Sequence, residues 1–173
     1  MFYKTPDYIY TPVADLEVIK GAVLVVGEAE SSLATQVRAS GCDTYTCSIE
    51  DATGDSLVNL PSIDWVVCVT QGLGRAAEVV FEIAQKVPSK GFCLLDRISF
   101  LEPVKRRQHL LTANSLTNMI ILSPRPAFRA DKRQLKDSVT SAWFVFQPPQ
   151  ASSKNTKIDF DLNWQRPRIN YGK

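Results

Sequence analysis

Apolar positions recur along this chain in two alternating rhythms. Residues 22 to 27 (AVLVVG) form a continuous apolar run, as in a strand covered on both faces. Residues 31 to 40 (SSLATQVRAS) follow a helical period, with Leu33 and Val37 on one side and Gly41 as the stop. A strand-like stretch at 42 to 48 and a polar passage, IEDATGDSLVNLPS, lead to a second buried run, DWVVCV, at 64 to 69. Ala76, Val80, Ile83, Ala84 and Val87 then recur at helical spacing over 74 to 87, and Pro88 and Gly91 close that helix. GFCLLD (91 to 96) predicts a strand, 100 to 113 a helix with Pro103 allowed in its first turn, and NMIILS (118 to 123) another strand. Residues 124 to 137 read as a basic, proline-bearing loop. SVTSAWFVFQ (138 to 147) predicts a long strand, and the alternation in KIDFDLNW (157 to 164) predicts an antiparallel edge strand. A short helix is expected at 13 to 20 (VADLEVIK) and a loose tail from about residue 165.

Strands alternating with helices, then two strands with no helix between them, define an α/β fold. The expected architecture is Rossmann-like: a mostly parallel sheet, helices on both faces and an antiparallel strand near the C-terminus. No internal repeat or boundary interrupts it, so a single domain over 1–173 is expected. With 173 residues, 45% hydrophobic and 22% charged, the chain can build one sizeable core. A net charge of +2 and a pI of about 8.3 neither demand nor exclude a nucleic-acid partner, so the distribution of charge matters more than its sum. The four cysteines, Cys42, Cys47, Cys68 and Cys93, make no Cys-x-x-Cys pair, and His109 is the only histidine, so no metal is expected. Cys68 and Cys93 lie in apolar strand runs, where a thiol acts as a small hydrophobe, and reduced cytosolic cysteines are the simplest reading. The opening MFYKTPDYIYTPVADLE is not a basic segment followed by an apolar one, and no run approaches the ~20 apolar residues of a membrane helix. The expectation is a cytoplasmic protein without membrane contact.

Three linked segments then carry a resemblance. LLDRISFLEPVKRR, IILSPRPAF and DSVTSAWFVF stand in the order, and near the spacing, of matching segments in the small DNA adenine methyltransferases of phages, plasmids and bacterial genomes. The chain resembles that family at Arg97, Ser99, Phe100, Leu101, Glu102, Arg125, Phe128, Asp137, Ser138, Ala142, Trp143 and Val145. Thr5 and Pro6 match the Thr-Pro before the family's first helix, so the likeness runs from about residue 3 to 164. It implies the class I S-adenosylmethionine-dependent methyltransferase fold. By the same resemblance, S-adenosylmethionine would be the cofactor, lying near Thr5, Pro6, Gly27, Glu28, Glu30, Glu50 and Asp51.

The family's chemical positions are not kept. Its first strand runs into Glu-Pro-x-x-Gly-x-Gly, where glycines let the backbone approach the cofactor. Here Val25 replaces the acid, and Ala29 and Ser31 replace the glycines, although Glu28 and Glu30 bring charge that suits a sulfonium. Ser48 stands where an acid would hold the ribose, with Glu50 and Asp51 just beyond. After the Asp-Trp strand the family carries Asn-Pro-Pro and an aromatic residue, which grip the flipped adenine. Val69, Thr70, Gln71 and Gly72 occupy those places and offer neither its acceptor nor its ring. Three sites lost together point to a relative without catalysis, so no catalytic residue and no bound cofactor are expected. S-adenosylmethionine would bind only if the pocket survives.

The remaining candidates have plainer readings. QPP at 147 to 149 follows the wrong strand for an adenine grip and reads as a strand exit. Arg125, Arg129, Lys132, Arg133 and Lys136 are candidates to meet DNA phosphates, with a solvated loop as the other reading. Lys105, Arg106 and Arg107 read as a solvated helix face. Arg97 and Glu102 are expected to fix a turn, and Trp65, Trp143 and Trp164 to pack in or beside the core. Tyr3, Tyr8 and Tyr10 form an aromatic arm whose default is packing on its own domain. The expected function is a methyltransferase-like binding or scaffold subunit, with a protein partner, a second copy or DNA. The alternatives are a DNA adenine methyltransferase with divergent motifs and a protein that binds or cleaves S-adenosylmethionine.

Overall fold

A computed structural model of the chain describes residues 5–27, 31–51, 57, 60–70, 76–87, 90–103, 115–128, 139–149 and 155–166. Seven strands form one sheet: β1 (Ala22–Val26), β2 (Asp43–Cys47), β3 (Trp65–Val69), β4 (Gly91–Arg97), β5 (Ser115–Leu122), β6 (Ser141–Gln147) and β7 (Lys157–Asp161). Their order is β2-β1-β3-β4-β6-β5-β7. Neighbours run parallel except at β6, which is antiparallel to both β4 and β5. The antiparallel strand is therefore β6. The last strand, expected to be antiparallel, pairs in parallel with β5, Met119 beside Ile158 and Ile121 beside Phe160. Its place at the sheet edge agrees with the expectation, but its apolar residues Ile158 and Phe160 are the exposed ones, and alternation carries no information on direction.

Apolar residues fill both faces of the sheet, as the unbroken runs of β1, β3 and β4 require. On one face Val23, Val25, Trp65, Val67, Leu95 and Trp143 pack beneath helix α2 (Ser32–Ala39), through Leu33, Ala34 and Val37. On the other, Leu24, Val66, Leu94 and Phe144 meet Val79, Val80 and Ile83 of helix α3 (Ala76–Lys86). Each such side chain contributes roughly 1.5–3 kcal/mol when fully buried, so the sheet centre tolerates little polarity. Trp65 and Trp143 are core residues, and Trp164 is buried with its ring N–H donated to the Pro124 carbonyl at 2.7 Å.

The helix expected at 13–20 is instead a single turn, α1 (Thr11–Ala14), with proline near its start. Glu17 takes a left-handed φ of 55°, which ends the turn. Val18 then faces solvent and Ile19 the core, an extended alternation leading into β1. Of the helix expected over 100–113, the described part is a 3₁₀ turn at Ile98–Leu101; residues 104–114, with Lys105, Arg106, Arg107 and His109, lie outside the described residues. The strand expected at 118–123 starts earlier, at Ser115, and shifts register between Leu116 and Asn118.

At the lower rim of the sheet the Asp64 carboxylate accepts from the Ala22 N–H at 3.0 Å and pairs with Lys90 at 2.8 Å. That pairing with Lys90 holds its pKa below the ordinary carboxylate value. Gly21, with φ of 87°, leaves room for this carboxylate, into which a Cβ would project. The starts of β1, β3 and β4 are thereby tied together.

Candidate functional site

The strand order reverses between β1 and β3, where Val26 lies beside Cys68. In open α/β sheets the crevice beyond the C-terminal strand ends at such a reversal is where ligands bind. Four strand exits meet at or beside it: those of β1, β2, β3 and β4.

The β1 exit keeps one open main-chain position. Gly27 has φ of 149°, and a Cβ placed there would meet nothing within 4 Å. Its N–H donates to the Cys47 carbonyl at 2.8 Å, joining the exits of β1 and β2. Val25 is wholly buried in the core beneath α2. Glu28 and Glu30 lie outside the described residues. Ser31 caps α2 by accepting the Ala34 N–H at 3.2 Å. That bond satisfies one of the open donors of the helix start.

The N-terminal arm crosses this helix. Gln36 donates to the Pro6 carbonyl at 3.1 Å and to the Ser32 hydroxyl at 2.9 Å, and accepts from the Tyr10 N–H at 2.8 Å. Ser32 donates in turn to the Asp7 carboxylate at 3.2 Å. Tyr10 sits in the core, edge-on to Trp143, whose ring N–H donates to the Ile9 carbonyl at 2.8 Å. The arm thus packs on its own chain from Pro6 onward, while Tyr8 stays exposed. Thr5 and Pro6 are half-buried there.

At the β2 exit Ser48 is engaged. Its hydroxyl donates to the Asp51 carboxylate at 2.7 Å and accepts the Asp51 N–H at 3.0 Å. Glu50 and Asp51 are exposed, the latter with its carboxylate held beside the end of β2. Burial pushes the neighbouring Cys47 thiol up to about 11, with the Asp51 charge adding to the effect. It is a neutral thiol at physiological pH, not a nucleophile.

The β3 exit is turned inward. Val69 is buried within the core shared with α2. Thr70 donates its N–H to the Leu95 carbonyl at 2.9 Å. Its hydroxyl lies 3.1 Å from the same carbonyl and donates to the Asp96 carboxylate at 2.6 Å. The other Asp96 oxygen accepts the Arg97 N–H at 2.6 Å. Both carboxylate bonds are short, so this knot fixes the ends of β3 and β4 to each other. Gln71 and Gly72 lie outside the described residues. Asp96 is the site residue that sequence reasoning passed over. It reads as the end of an apolar strand, and only the β3–β4 register brings it to Thr70, 26 residues away.

Other candidates separate from this crevice. The QPP stretch leaves β6 beside the start of β4, where Phe146 pairs with Phe92, at the opposite rim of the sheet. Arg125 is exposed beyond the end of β5, whereas Arg129, Lys132, Arg133 and Lys136 lie outside the described residues. The turn after β4 is held by main-chain bonds, Ile98 N–H to Thr140 O and Glu102 N–H to Ser99 O, each 3.0 Å, with Arg97 and Glu102 both exposed.

Thirteen chains of solved structures have a similar fold. One is a Listeria monocytogenes protein assigned as a class I S-adenosylmethionine-dependent methyltransferase, with a TM-score of 0.58 at 14% identity, covering 95% of this chain and 67% of that one. Another is TrmK of M. capricolum in complex with S-adenosyl-homocysteine, with a TM-score of 0.52 at 14% identity, covering 86% and 69%. The chain has the Rossmann-like fold of the class I methyltransferases. A Thermoplasma acidophilum protein matches as well, with a TM-score of 0.56 at 9% identity over 82% of this chain and 86% of its own. In sequence, no family model and no curated protein matches. At these identities the likeness is one of fold. Within that fold, the described end of β3 holds the buried Val69 and a Thr70 hydroxyl bonded to β4, and Gly27 leaves open main chain beside the β2 exit.

Proposed function

We propose that this chain is a methyltransferase-like protein without methyl-transfer chemistry, acting as a binding or scaffold subunit of a protein or nucleoprotein assembly. The resemblance to phage and plasmid DNA adenine methyltransferases supplies the ancestry in this reading. The observation that carries it is the β3 exit. An adenine amino group needs an acceptor there that faces the crevice; the Val69 side chain offers none and is buried, and the Thr70 hydroxyl is committed to β4. A fold retained without its reaction is retained for its surfaces. Among the described residues no helix is long and apolar enough to cross a membrane.

A second reading draws on a separate observation. The open main chain at Gly27 and the exposed Asp51 carboxylate are features a cofactor could use, so a protein that binds or cleaves S-adenosylmethionine is the alternative. Isothermal titration with S-adenosylmethionine distinguishes the two. No heat of binding at micromolar ligand is expected. Micromolar binding would favour the alternative, and methyl transfer to adenine-containing DNA would overturn both in favour of an active methyltransferase. With neither, a DNA shift assay over a salt series addresses Arg125 and the basic stretch after it. Phosphate contacts would appear as steep salt dependence, and their absence leaves a protein partner.

A further inference from the structure

Among the described residues β7 is hydrogen-bonded on one side only, to β5. An edge strand holds out main-chain N–H and C=O groups that another strand can take. Its side chains divide cleanly. Lys157 and Asp159 share a face with Asn118 and Ile120 of β5, while Ile158 and Phe160 share the opposite face with Met119 and Ile121. On that second face Ile158 and Phe160 are 58% and 67% exposed, and Leu162, just past the strand, is 64% exposed, so apolar surface prolongs the flank of the core. The other edge, β2, has Tyr45 as its sole exposed large apolar residue.

We propose that β7 is the seam of a homodimer, in which two copies add their β7 strands antiparallel across a two-fold axis at Ile158. The charge order of the strand favours a second copy over an unrelated partner. With the axis at Ile158, each Lys157 stands opposite Asp159 of the other copy, and Ile158 stands opposite itself. The exposed ion pair within each chain, Lys157 Nζ to Asp159 Oδ2 at 3.1 Å, becomes half of a ring of four alternating charges. Moving the axis to Asp159 sets two carboxylates face to face, and moving it to Phe160 sets Asp159 against Asp161 twice. Like charges directly opposite are destabilising, so the sequence selects the first register. Ile158 and Phe160 of both copies then form one apolar cluster across the seam. The contact is isologous and closes on two copies, which prevents the open edge from templating a filament. A standard interface buries ~800 Å² per partner, more than three side chains and a short strand supply, so the dimer is weak and concentration-dependent. The proposal is independent of whether the crevice binds a cofactor.

Sedimentation velocity on the full chain over a concentration series tests it. The wild type passes reversibly from monomer to dimer as concentration rises. Ile158→Lys sets two ammonium groups against each other at the axis and raises the dissociation constant at least ~30-fold. Its circular dichroism stays unchanged, because the side chain it replaces is exposed. Lys157→Asp weakens the dimer, and combining it with Asp159→Lys restores it, since opposite charges again face across the seam. A wild type that is monomeric at every concentration overturns the proposal, and so does a dimer indifferent to Ile158→Lys. A double exchange that fails to restore association overturns the register.

Discussion

Thr70 decides what the β3 exit can do. A threonine at the end of a parallel strand has one proton to give, and here it goes to the Asp96 carboxylate at 2.6 Å, beside the Leu95 carbonyl. Thr70→Val keeps the shape and removes that donor. It is expected to cost about 1–2 kcal/mol, read as a lower urea midpoint with unchanged slope, while Thr70→Ser stays close to wild type. Equal stability of all three would mean that the knot holds nothing. Part of this site was legible from the residues. Val25 and Val69 stand in unbroken apolar runs, and both are buried as those runs require. The partner of Thr70 was not legible, because a contact across 26 residues depends on register, and register is set by which strands become neighbours.

The elements show the same division between local and non-local causes. Helix α2 was readable to within a residue, since its cap at Ser31, its apolar positions and Gly41 with φ of 87° are all local signals. The false helix at 13–20 had the right apolar spacing over too few residues, and the route into β1 overrode it. The direction of β7 was not readable either. Because β6 already fills the antiparallel place between β4 and β5, the chain returns to the far side of β5 and runs with it. At this scale Gln36 is the latch between α2 and the N-terminal arm, bonding Pro6, Tyr10 and Ser32. Gln36→Leu removes the bonds to the arm while keeping the bulk. Limited proteolysis is expected to cut within residues 5–10 several times faster in that variant, with the rest of the chain resisting as before. Unchanged cleavage would assign the hold on the arm to Tyr10 and Trp143 alone.

For the molecule as a whole, the two-sided burial predicted from unbroken apolar strands has a chemical consequence. Cys68 and Cys93 lie in β3 and β4 and are fully buried, and burial pushes both thiols far above their ordinary range. Cys47, half-buried at the end of β2, is pushed up to about 11. In the unfolded chain all of them titrate near ~8.5. Above that pH the unfolded state gives up protons that the folded state keeps. The proton difference then favours unfolding, so the sign is a loss of stability as pH rises, by up to about 1.4 kcal/mol per pH unit for each thiol. The Cys47 share runs from ~8.5 and closes near 11, whereas the shares of Cys68 and Cys93 continue beyond it. Urea unfolding followed between pH 7 and pH 10 should therefore be flat at first and then fall ever more steeply, without any change in the unfolding slope. Cys68→Ala lowers stability at every pH but flattens the alkaline limb, because it removes one of the protons concerned. A limb equally steep in that variant would mean that the buried thiols are not its source, and that the charge balance of the surface sets the alkaline limit instead.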